Sequence, residues 1–195
     1  MALFEQAYKK TLNHEGIYSD DSVDRGGETY KGISRKFHEY WEGWFIIDNH
    51  KNLPNFPNNL NNDKGLDELV KSFYKEFFWD KLKCDDISSQ KVSEKLFDIS
   101  VNQGIKTASK YFQESLNCLN NDNNKDIKVD GIIGKNTISK YNEFIDTKSY
   151  SSRSFTKNGD VLVKCLNGFQ FQRYLDIVKR DSSQERFFYG WINRI

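Results

Sequence analysis

The sequence predicts a mainly α-helical protein of about seven to eight helices, with a small β-hairpin after the first. Three observations carry that expectation. Apolar residues recur at i, i+3, i+4 and i+7 through most of the chain, which is the spacing of one helix face. Strand-type alternation is weak and confined to residues 17–33, around Gly26-Gly27. Both prolines, Pro54 and Pro57, fall in one Asn-rich, turn-forming stretch, so proline interrupts no helix elsewhere.

The first helix spans residues 2–14, with Leu3, Phe4, Ala7, Tyr8 and Leu12 on one face. Gly16 stops it, and Gly26-Gly27 supplies a turn that tolerates positive φ. Residues 66–80 form a second amphipathic helix through Leu66, Leu69, Val70, Phe73, Phe77 and Phe78. Ser88 or Ser89 is suited to cap a third, which buries Val92, Leu96, Phe97, Ile99 and Val101 and ends at Gly104. Helix 106–118 presents Ala108, Tyr111, Phe112 and Leu116, and a shorter one runs from Asn136 to Phe144. Asp160 to Lys179 reads as a long helix, and Ser182 or Ser183 with Glu185 opens the last.

Composition excludes several function classes. The 195 residues carry 29 Lys+Arg against 28 Asp+Glu, so no net field draws the chain to nucleic acid or an anionic membrane. The longest apolar run, Trp44 to Ile47, is far short of the ~20 residues of a membrane helix. Cys84, Cys118 and Cys165 are odd in number and widely spaced, without a CxxC, as in a protein made in a reducing compartment. The first ten residues lack the apolar core of a signal peptide. Residues 151–195 hold 8 basic and 4 acidic side chains, which suits either an anionic cell wall or ordinary solvated helix faces.

Glu15 is the most informative residue. At 100° per residue it lies about 20° from the directions of both Phe4 and Tyr8, on the apolar side of its helix. A carboxyl in such surroundings has a raised pKa, as a general acid at neutral pH requires. The alternative is a helix-terminal Glu that reaches out to water. Asp20, Asp21 and Asp24 stand close behind it. Glycosidases need such a pair, one acid for the leaving oxygen and one carboxylate for water or a glycosyl intermediate. A run of Asp in a loop is otherwise ordinary turn chemistry. Thr29 follows the Gly-Gly turn and is able to help hold a water.

The segment Glu15-Gly16-Ile17-Tyr18, Asp21, Asp24, Gly26-Gly27, Thr29, Gly32-Ile33 resembles the N-terminal signature of family-108 glycoside hydrolases, lysozyme-like N-acetylmuramidases. Ile17 replaces the family's second glycine and Arg25 its proline; neither change removes a catalytic group. The resemblance continues through Phe78-Trp79-Asp80 and the DISVNQG stretch, Asp98 to Gly104. It extends to Val129-Asp130-Gly131-Ile132-Ile133-Gly134 with Thr137, similar to the associated peptidoglycan-binding region, and to Gly190-Trp191-Ile192-Asn193-Arg194 near the end.

The resemblance implies an α+β lysozyme-like fold in one domain over 1–195, with a catalytic part at 1–80 and a helical, peptidoglycan-binding-like part at 81–195. It implies a muramidase that cleaves the β-1,4 bond between N-acetylmuramic acid and N-acetylglucosamine. Glu15 is then the general acid, Asp24 the second carboxylate and Thr29 the water-positioning hydroxyl. Similarity to the triad of phage-type lysozymes points to inversion. Tyr18, Tyr30 and Trp44 are either sugar-stacking rings or core aromatics, with Tyr18 favoured as part of the signature, and Asp98, Asn102 and Gln103 are candidate glycan hydrogen-bonding groups. For the last three, a helix-terminal polar cluster that satisfies backbone groups is the alternative. The implied partners are peptidoglycan strands and a holin-type export route, for an enzyme made in the cytoplasm without a signal peptide, acting on the periplasmic wall as a monomer. A catalytically inactive wall-binding protein and a chitinolytic enzyme on the same fold are the competing readings.

No cofactor or metal is expected. His14-Glu15 begins like a zinc-protease HExxH, but the second His is replaced by Tyr18. Asp122-Asn124-Asp126 begins like a calcium loop, but Ile127 and Ile133 stand where Gly and Glu are needed.

Overall fold

The computed structural model of the chain describes residues 2–12, 18–20, 27–120, 125–146 and 157–195. These residues contain eight α-helices and one three-stranded antiparallel sheet, a mainly helical α+β architecture with the sheet after the first helix. The chain divides into two compact units, Tyr8–Phe77, and Met1–Ala7 with Phe78–Ile195.

The Tyr8–Phe77 unit holds the end of α1 (Phe4–Leu12), then β1 (Tyr18–Ser19), β2 (Thr29–Tyr30) and β3 (Ile33–Ser34). α2 (Gly43–Lys51) and α3 (Lys64–Tyr74) follow. The strands pair in sequence order, Tyr18 opposite Tyr30 and Tyr30 opposite Ile33. A two-residue connection, Lys31-Gly32, joins β2 to β3 with φ of 43° and 80°. Positive φ at both central residues is what a type I′ hairpin turn requires, and it matches the twist of the strands. Lys31 is held there by Tyr74, whose hydroxyl donates to the Lys31 carbonyl at 2.7 Å.

α3 forms because Leu66, Val70, Phe73 and Tyr74 recur on one face and are buried. Each fully buried apolar side chain of this kind contributes roughly 1.5–3 kcal/mol relative to exposure. Asp63 caps the helix by accepting from the Leu66 amide at 2.9 Å. That bond first, and the His50 imidazole at 3.0 Å after it, hold the Asp63 carboxyl below the usual range. Nothing in the sequence pattern announces α2, yet it is a helix that buries Trp44 and Ile47. Its first residue is glycine because a Cβ there would lie 2.2 Å from the Trp41 ring. Trp44 is buried, with its indole N–H donating to the His38 carbonyl at 2.7 Å, so it is a core residue rather than an open stacking ring.

The other unit is helical: α4 (Gln90–Gln103), α5 (Ile105–Leu119), α6 (Lys135–Asp146), α7 (Asn158–Arg180) and α8 (Glu185–Ile192). α4 and α5 pack as a hairpin about Gly104, and α7 packs against both. Its core starts from Phe4, whose ring meets Trp79 at 5.5 Å and Phe97 at 5.8 Å, both edge to face. The Asp130-Gly131 turn is fastened by the buried Gln113 amide. Gln113 donates to Asp130, the Ile132 carbonyl and Thr137, and accepts from the Gly131 amide.

Three sequence expectations need correction. Leu3 is more than half exposed, so the buried face of α1 begins at Phe4. Phe77 is 44% exposed, because a π-helical turn over Lys75–Trp79 shifts the helical phase and buries Trp79 in its place. Ser89 takes the N-cap position of α4, but its side chain makes no capping bond. Ser88 bonds to the Tyr141 hydroxyl, and the Ser89 amide is satisfied by that same hydroxyl at 3.0 Å.

Candidate active site

Glu15 and Asp24 lie outside the described residues, as does most of the Asp122–Asp126 loop. The structure describes the sheet that flanks the two carboxylates in sequence. Side chains alternate along a strand, so Ser19, Thr29 and Ser34 share one face and Tyr18, Glu28 and Tyr30 the other. Thr29 is half-buried, and its hydroxyl donates to the Gly27 carbonyl at 3.1 Å. With its one proton committed there, that oxygen is left to act as an acceptor.

The opposite face is organised by Glu28, which no sequence motif singles out. Its side chain is only 11% exposed and meets three donors. Lys51 Nζ stands 2.8 Å from Oε1, Arg35 Nε 2.8 Å from Oε2, and the Tyr18 hydroxyl donates to Oε1 at 3.1 Å. Asp48 completes the cluster, paired to Arg35 at 2.6 Å and to Lys51 at 3.4 Å. The bond from Arg35 holds the Asp48 carboxyl below its ordinary range. Burial first, and the Glu28 hydrogen bond second, push the Tyr18 phenol up to about 12. Tyr18 therefore stays a neutral donor at any ordinary pH. Its ring is fixed edge to face on Phe56 at 4.8 Å. The members of this cluster come from β1, the residue before β2, the residue after β3, and α2, which is why no local motif reveals it.

Tyr30 is fully buried and its ring stacks near Trp41 at 6.4 Å. It offers no open face to a sugar in this conformation, because β2 turns it into the core while Thr29 faces the other way. Burial raises its phenol well above the ordinary value.

Asp98, Asn102 and Gln103 lie on the last two turns of α4, in the helical unit. Both amide hydrogens of Asn102 are committed to Asp98, at 2.8 Å to its carbonyl and 3.1 Å to Oδ1. The Asn102 carbonyl oxygen accepts from Arg194. Asp98 also accepts from Gln170 at 3.3 Å, and Lys95 donates to the Arg194 carbonyl at 2.8 Å. These groups bind the C-terminal residues to α4. That arrangement favours the polar-cluster alternative for Asp98 and Asn102 over glycan recognition. The three cysteines are free, and burial pushes the Cys84 thiol far up, away from nucleophilic use.

Comparison with known proteins places these elements in context. The family model described as glycosyl hydrolase 108 matches residues 8–104, and that described as a predicted peptidoglycan domain matches residues 107–195. The solved structure of Brucella abortus SagA is similar in fold, with a TM-score of 0.62 at 21% identity, covering 98% of this chain and 88% of that one. No curated protein matches the chain at a significant level.

Proposed function

The chain belongs to the glycosyl hydrolase 108 family and is a glycoside hydrolase directed at peptidoglycan; from that premise we propose a mechanism and a bond. The bond is the β-1,4 linkage between N-acetylmuramic acid and N-acetylglucosamine. Glu15 gives its proton to the glycosidic oxygen as the bond to the anomeric carbon breaks. A water attacks that carbon from the opposite face and passes its proton to Asp24, so the product is inverted. Thr29 accepts a hydrogen bond from the same water, a role suited to an oxygen whose own proton is already given to Gly27. Three residues after Glu15 in the chain, the neutral Tyr18 is held by Glu28 and packed on Phe56.

The observation that carries the reading is the glycosyl hydrolase match over residues 8–104, which takes in Glu15, Asp24 and Thr29 together. The family resemblance also supports a holin-type partner as the route to the wall. Coexpression with a pore-forming holin should then produce lysis that neither protein causes alone.

Mass spectrometry of digested peptidoglycan tests the bond. The expected fragments end in reducing N-acetylmuramic acid, and fragments ending in N-acetylglucosamine would contradict it. Proton NMR of fresh product tests the stereochemistry, with the α-anomer expected first. Asp24→Asn should lower the rate about 10²-fold or more, while Asp20→Asn leaves it near the parent. Equal losses would remove Asp24 from its role.

A further inference from the structure

We propose that the cavity between residues 36–42 and α3 binds the amine-bearing side chain of a peptidoglycan stem peptide, an inference that rests on peptidoglycan being the substrate. The cavity is about 630 Å³, within the range of small-ligand sites, and lies wholly in the Tyr8–Phe77 unit. Its rim exposes aromatic rings to water: Tyr40 is 90% exposed and Phe37 68%. Exposed rings gathered about one concavity mark an interaction surface rather than scattered surface apolarity. Its wall is packed, with His38 edge-on against Phe73 at 4.7 Å and Phe77 at 5.3 Å.

Charge selects the ligand. Glu39, Glu42 and Glu76 line the cavity and make no side-chain hydrogen bond or ion pair among the described residues. Lys36 is the one permanent cation among the lining residues, and burial lowers the His38 pKa, which disfavours a charge on that ring. Three carboxylates against one ammonium favour a cation. A neutral sugar would gain stacking from the rings and nothing from that excess charge. A lysine side chain uses both features: its methylenes lie on the rings while its ammonium meets the carboxylates and the ring faces.

Isothermal titration of the full chain tests this without requiring turnover. The probes are the tetrapeptide Ala–D-isoGlu–Lys–D-Ala, its Nε-acetylated form, and tri-N-acetylchitotriose. The free-amine peptide should bind saturably, about tenfold or more tighter than the acetylated form, and should weaken as salt rises. Tyr40→Ala, and Glu42→Gln with Glu76→Gln, should each weaken it about fivefold or more while the unfolding temperature stays put, since these side chains are exposed. Equal binding of the acetylated peptide, no saturable binding, or unchanged binding by the variants would overturn the proposal. Chitotriose binding lost in the same variants would reassign the cavity to glycan. Peptide binding without wall hydrolysis would refute the muramidase reading alone, and hydrolysis without peptide binding would refute the cavity alone.

Discussion

Replacing Glu28 by Gln removes one negative charge and little volume from the charged cluster it forms with Arg35, Lys51 and Asp48. The amide introduced by Glu28→Gln keeps an acceptor for the Tyr18 hydroxyl, but its N–H₂ now faces Lys51 or Arg35, donor against donor. A charge-assisted hydrogen bond contributes about 1.5–3 kcal/mol when sheltered. Here Lys51 and Arg35 are each about a third exposed and shared with Asp48, and Arg35 meets Glu28 as an ion pair alone, so each contact counts at about 1 kcal/mol. The expected loss is about 2 kcal/mol, or roughly 4–8 °C in unfolding temperature for a chain of this size. The control is Asp67→Asn, which breaks the Lys31–Asp67 pair, 46% exposed on the carboxylate side. That pair is worth about 0–1 kcal/mol. Thermal and urea unfolding of the two variants measure the difference. A Glu28→Gln variant no less stable than Asp67→Asn would show that the cluster is surface decoration and that its burial adds nothing to the pairing.

Tyr18 should keep its proton far into alkali. Its folded pKa is raised to about 12 against an ordinary value near 10, so the folded state binds the proton more tightly than the unfolded chain does. The stability this contributes is complete below pH 10 and is lost between about 10 and 12. Phenolate absorbance should show a late-titrating tyrosine that Tyr18→Phe removes; an unchanged titration would contradict the assignment. Glu28→Gln should bring that step down without restoring 10, because burial is the larger cause. Gln113→Ala should destabilise the helical unit by about 2–4 kcal/mol, since the Gly131 N–H and the Thr137 hydroxyl each lose a buried partner. Hydrogen exchange at the Gly131 amide should accelerate well before global unfolding, and unaltered protection there would refute the role given to Gln113.

Helices are legible in the sequence where a buried stripe repeats over several turns. Leu66, Val70 and Phe73 fall at helical spacing and are buried. Val92, Leu96 and Phe97 behave in the same way on α4. α2 is not legible, because its apolar residues form one contiguous run, Trp44 to Ile47, which carries no period. The three strands are two residues long, too short for alternation to appear, so the pattern suggests a hairpin where three strands form. Phe77 escapes because a π-helical turn changes the phase without any breaker residue to mark it. Within the site, Thr29 and Tyr18 stand out by position beside Glu15. Glu28 does not, because its partners lie at 18, 35 and 51, and only the folded chain brings those charges together.

The proposed chemistry turns on one carboxyl, Glu15, near the start of the glycosyl hydrolase region. The direct measurement is reducing-end release from purified peptidoglycan by Glu15→Gln beside the parent chain, with matched far-ultraviolet circular dichroism. Loss of an essential general acid predicts a fall of about 10²–10⁴-fold with the fold unchanged. A folded Glu15→Gln variant that releases reducing ends at the parental rate would contradict the central claim.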